Sequence, residues 1–216
     1  MAFDSATALP LSLSPKPTIQ LTLEEHNSTI IASQARPPIV VGLTPLCPYG
    51  LGPCWAGAYN ALRRINDVEM VAPVPSQKDS LAYVWTHKHN SLPDIDIWRS
   101  ELAVTANASY EMRGLEVTLR GEVVIREGQG VALRVEGEGG NTLEVSLGRF
   151  TMKSQLKWDA GSASPREVSG EETGSYERLV GVVVERGGSV LVKVTGTLQK
   201  REGGGFGIDV RKFEEL

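Results

Sequence analysis

Apolar residues recur along this chain with two different periods, and the change of period divides it. From Ile39 to Val41 the chain is a short apolar run suited to a buried strand. Behind Pro53, the residues Cys54, Ala58, Ala61, Leu62 and Ile65 return at helical spacing, with Asn60, Arg63 and Arg64 on the opposite side. Val68, Met70, Ala72 and Val74 then alternate as in a strand, and Pro73 and Pro75 place it at a sheet edge. Leu81 to His87 predicts another strand, with Tyr83 and Trp85 on one face. Asp94 or Asp96 is a natural cap for a second helix that aligns Trp98, Leu102, Thr105, Ala106 and Ser109, closed by Gly114 before Leu115, Val117 and Leu119 resume strand alternation.

The remainder differs in kind. Alternation at 117–125, 131–136, 142–147, 179–185, 189–198 and 206–213 is separated by Gly-rich turns, and residues 159–177 read as one long mobile loop. The pattern predicts an α+β chain: an N-terminal arm over 1–38 with a possible edge strand at Thr18–Leu23, a ferredoxin-like βαββαβ domain over 39–120, and a small antiparallel, OB-like β-barrel over 121–216. The strand at 115–125 is expected to cross between the two domains.

Charge excludes little beyond polyanion binding. The net charge is −4, with 9 basic against 11 acidic residues in 1–120 and 13 against 15 in 121–216. The barrel strands offer few aromatics, chiefly Phe150, Tyr176, Phe206 and Phe213, so nucleic-acid binding is not expected. A protein partner on the barrel is expected instead. No apolar run approaches the roughly 20 residues of a membrane span, and the N-terminus lacks the basic and apolar regions of a secretory signal, so no membrane association and a cytoplasmic location are expected.

The concentrated chemistry lies in Gly42-Leu-Thr-Pro-Leu-Cys47-Pro-Tyr-Gly-Leu-Gly-Pro53-Cys54. This stretch ends a strand and opens a helix, which puts Cys54 near the second helical position, with Pro53 at the first. Unpaired backbone N–H groups and the positive helix end lower the pKa of a thiol there. A depressed thiol is a better metal ligand and a faster exchange partner. Two-sulfur coordination suits soft Cu(I), and zinc is the other candidate. The spacing alone leaves open a local disulfide, two reduced thiols or two metal ligands.

Residues from about 39 to 120 resemble a heavy-metal-associated domain of the copper-chaperone kind. The likeness rests on Val41-Gly-Leu-Thr44, the two cysteines, Ala61-Leu-Arg-Arg-Ile-Asn-Asp-Val-Glu-Met-Val71 and Ala108-Ser-Tyr-Glu-Met-Arg113. The resemblance implies a ferredoxin-like fold with Cys47 and Cys54 as metal ligands. This loop places six residues between its cysteines where the family has two. The expected function is therefore noncatalytic binding of copper or zinc through Cys47 and Cys54, with a partner-binding barrel. The alternative is a structural or interaction protein in which Cys47–Cys54 is a local disulfide and the barrel loops bind the partner. A thiol oxidoreductase, with Cys54 attacking and Cys47 resolving, lacks the usual two-residue spacing.

Other candidates have simpler readings. His87 and His89 share a strand face without a third ligand, and Asp94 and Asp96 suit helix capping. Tyr49 and Trp55 flank the cysteines and could wall a pocket, whereas Trp85 and Trp98 suit a core.

Overall fold

The computed structural model describes residues 28–29, 31–46, 51–87, 92–126, 130–137, 140–159, 161–162, 164–201, 203 and 205–216, the side chains of 51–54 excepted. The expected edge strand Thr18–Leu23 lies outside the described residues, and residues 28–29 and 31–33 of the expected arm are helical. The chain is mixed helix and sheet. Its first part runs β1 (Ile39–Pro45), α1 (Leu51–Arg64), β2 (Val68–Val74), β3 (Ser80–Thr86), α2 (Ile95–Thr105) and β4 (Tyr110–Arg126). The strands lie in the order β2-β3-β1-β4, every neighbour antiparallel. Ala58, Ala61 and Leu62 of α1 and Trp98 and Leu102 of α2 share one buried core with Val41, Leu43, Ala82 and Val84 of the sheet.

Local chemistry accounts for most boundaries here. Asp94 Oδ1 accepts from the backbone N–H of Asp96 and Ile97 at 2.9 and 3.2 Å and so starts α2. The end of α2 differs from expectation. It stops at Ala106, followed by Asn107 and Ala108 in the left-handed region (φ 49° and 53°), and Gly114 lies inside β4. Gly114 serves close packing rather than helix termination, since a Cβ on it would sit 2.7 Å from Leu156 Cδ2. In β2 the strict alternation fails as well. Val68, Val71 and Ala72 are buried, because a register shift between Val68 and Met70 reverses the faces.

The 17-residue β4 is shared by both parts of the fold. Its first half pairs with β1 (Tyr110–Glu116), and its second half pairs with β9 (Glu116–Val124) and β5 (Glu122–Arg126). With β5 (Gly130–Glu136), β6 (Thr142–Arg149), β9 (Ser189–Lys200) and β10 (Phe206–Glu215), it closes a five-stranded barrel in the order β4-β5-β6-β10-β9. All its pairs are antiparallel except β6 with β10. A 3-10 turn (Met152–Ser154) and the two-residue strands β7 (Trp158–Asp159) and β8 (Ser164–Pro165) follow β6.

The main correction falls between β8 and β9. The strand expected at 179–185 and the end of the loop expected at 159–177 are instead α3 (Gly170–Thr173) and α4 (Ser175–Glu185). Valine-rich Val180-Gly-Val-Val-Val184 has strand propensity, yet Leu179 and Val183 at i, i+4 are fully buried while Val184 is 60% exposed, which is a helical stripe. Tertiary need overrides propensity here: the connection between parallel neighbours must cross the barrel, and Leu179 and Val183 join the core formed by Val145, Val192, Val194, Ile208 and Val210. A reciprocal Ser169–Glu172 capping box opens α3. Gly181 has nothing within 4 Å of where a Cβ would stand. Gly181→Ala is therefore expected to stabilise the protein by about 0.5–1 kcal/mol, measured by urea denaturation; a loss would argue against a helix at this position.

Candidate functional site at the β1–α1 junction

β1 leads directly to the cysteine segment. Strand pairing holds β1 as far as Pro45, opposite Tyr110, and Leu46 N–H then donates to the Ser109 carbonyl at 2.9 Å. The next described residue is Leu51, the first of α1. Cys47 and Tyr49 lie outside the described residues. Cys54 occupies the first turn of α1, at its fourth residue, with Pro53 at the third, so the helix opens two residues earlier than expected. That turn, Leu51-Gly-Pro-Cys54, contains no acidic residue. Its leading N–H groups and positive dipole end favour an anion at the start of the helix.

Two rings lie beside the junction. Trp55 follows Cys54 in α1, and Tyr110 begins β4; their centroids are 5.6 Å apart at 73°, an edge-to-face contact. Both are buried, so Trp55 belongs to the core rather than to an open pocket wall. Trp55 Nε1 and Tyr110 Oη have no hydrogen-bond partner among the described residues. Burial pushes the Tyr110 phenol above its ordinary value; the Ser80 hydroxyl acts in the opposite direction without completing a hydrogen bond. The phenol therefore stays neutral and able to donate a hydrogen bond.

The other candidates separate. His87 is exposed at the end of β3, and His89 lies outside the described residues. Asp94 caps α2, and exposed Asp96 pairs with Lys200 and with Arg99, the latter at 3.5 Å. The hydrogen bond and charge of Lys200 hold the Asp96 carboxyl below its usual range. Trp85 and Trp98 are core residues, and Trp85 Nε1 donates to the Arg36 carbonyl at 3.0 Å. Among the described residues no three His, Cys, Asp or Glu side chains gather as a metal cluster. No helix among them is long and apolar enough to cross a membrane.

Arg113 was not among the residues singled out by periodicity. Its guanidinium is 6% exposed and donates to Leu43 O, Leu156 O and Asp79, joining the sheet to the segment that leaves the barrel. The available signal was a charged residue inside an apolar strand, Met112-Arg-Gly-Leu115. Comparison with known protein families, with curated proteins and with solved structures gives no match.

Proposed function

We propose that the protein is a noncatalytic binder of a soft metal ion, copper or zinc, through Cys47 and Cys54, with the barrel as the partner-binding module. What supports this reading is the order of the chain: Cys47 comes two residues after Pro45, the last residue of β1, and Cys54 is the fourth residue of α1, so both cysteines fall between the strand's end and the helix's first turn. Thiolates are soft ligands, and a helix start favours the deprotonated form that a metal requires. The fold reading that accompanies it is a ferredoxin-like sheet, supported by the antiparallel order β2-β3-β1-β4, fused to an OB-like barrel, supported by the parallel β6–β10 contact and the helix crossing between β6 and β9.

Trp55 follows Cys54 in α1 and Tyr110 pairs with Pro45 at the end of β1; their N–H and hydroxyl are buried donors without a partner among the described residues, and second-sphere donors to metal thiolates are a common device for tuning a site. Cys47 and Cys54 would hold the ion.

Elemental analysis and thiol titration of unreduced protein test the reading together. The parent is expected to carry copper or zinc, and Cys47→Ser/Cys54→Ser to lose it. Metal binding unchanged in the double variant would sink the proposal. Absence of both free thiols and metal would favour the disulfide alternative, with function on the barrel loops.

A further inference from the structure

A second feature, independent of the cysteines, lies where α2 meets the barrel. A cleft of about 220 Å³ is lined by Ile95, Asp96 and Arg99 of α2, Arg113 and Gly114 of β4, Lys153 of the 3-10 turn, and the β9 end from Thr197 to Lys200. Four cations and one carboxylate therefore line a cleft on a chain whose net charge is −4. Arg113 is committed elsewhere, to Leu43, Thr44, Asp79, Ser80 and Leu156. Three cationic heads remain. Asp96 holds two of them, Lys200 and Arg99, and Lys153 makes no ion pair among the described residues. The leading N–H groups of α2 are already taken by Asp94, so the positive character comes from side chains. Ile95 and Leu198 are buried and supply an apolar wall.

We propose that this cleft binds a small phosphorylated molecule, its phosphate group held by Lys153, Lys200 and Arg99 and its carbon skeleton lying against Ile95 and Leu198. A phosphate dianion satisfies three charge-assisted donors where the single Asp96 carboxylate engages only two. Asp96 is then the resident competitor: it keeps Lys200 and Arg99 over the cleft and releases them to a ligand of higher charge. Pockets of this type favour boundaries between packed units, and this one bridges the helix of the sheet and the barrel.

Calorimetric titration of the full chain at low ionic strength, with glycerol 3-phosphate as the probe and glycerol as the uncharged control, tests the proposal. The expected result is a dissociation constant of about 1 mM or tighter for the ester, no binding of glycerol, and weakening as salt is added. Lys153→Ser/Lys200→Ser is expected to weaken binding by about tenfold or more, and Asp96→Asn to strengthen it. Lys212→Ser, an exposed cation elsewhere on the barrel, is expected to leave it within about twofold. Circular dichroism checks that each variant is folded. No heat from the ester up to about 10 mM, an equal loss in Lys212→Ser, or weaker binding in Asp96→Asn would overturn the proposal.

Discussion

Arg113→Met is expected to lower the unfolding free energy by about 3–5 kcal/mol, the cost of removing one partner from a buried ion pair. The side chain is 6% exposed and its partner Asp79 is 19% exposed. Every guanidinium N–H has a destination: Nε reaches Leu156 O at 2.9 Å, Nη1 reaches Leu43 O and Thr44 Oγ1, and Nη2 reaches Asp79 Oδ1 at 2.6 Å and Ser80 O at 3.2 Å. Burial lowers the proton affinity of the guanidinium and Asp79 opposes that change, so the pair is the condition for the charge to lie where it does. Methionine fills the volume but leaves a carboxylate and three carbonyls without their donor. Two further variants separate charge from fork geometry. Arg113→Lys restores the charge with a single point donor and should recover only a minor part of the loss. Arg113→Met/Asp79→Asn removes the stranded charge and should recover more. Urea denaturation measures all three; a loss below about 1 kcal/mol for Arg113→Met would mean that the site is solvated and the ion pair dispensable.

Arg113 also shows why part of this fold could not be read from the chain. Periodicity reports which way a side chain faces, and it marks the β1 run, the α1 stripe Ala58-Ala61-Leu62 and most barrel strands, while residue type narrows the cap of α2 to Asp94 or Asp96, of which Asp94 is the cap. It says nothing of what lies on the other face. Leu156 and Trp158, far along the chain, pack onto Gly42, Gly114 and Arg113; Leu156 stands 3.3 Å from a Cβ built on Gly42, and Arg113 lies 5.2 Å above the Trp158 ring. That contact is encoded only as two glycines and an arginine within strands. The α4 helix departs from the sequence pattern for a related reason, because four valines within five residues favour a strand locally while the crossing between β6 and β9 demands a helix. Around the cysteines, the strand before them and the helix after them were legible because the apolar β1 run, proline and the α1 stripe mark them. The burial of Trp55 against Tyr110 was not, since it depends on β4 returning beside β1. The cleft cations come from three distant segments, Arg99, Lys153 and Lys200, and no local pattern joins them.

Gly196→Ala should be among the most damaging single methyl additions, with an expected loss of at least about 3 kcal/mol, at the upper end of overpacking. Gly196 lies in β9 between Val117 of β4 and Val210 of β10, hydrogen-bonded strands on both sides. A Cβ there would stand 2.1 Å from the Asp209 carbonyl oxygen and 2.7 Å from Ile208 Cγ2. The nearer obstacle is backbone, so no rotamer change clears it; β9 and β10 must part at the seam that completes the barrel. Gly130→Ala is the informative contrast. Gly130 has φ +85° but open space around it, so alanine meets only the left-handed conformational penalty, about 1–2 kcal/mol. The two substitutions add the same methyl and separate steric closure of the barrel from backbone preference. Thermal and urea unfolding of both variants should rank Gly196→Ala well below Gly130→Ala in stability, and equal losses would show that the β9–β10 seam has room the geometry denies.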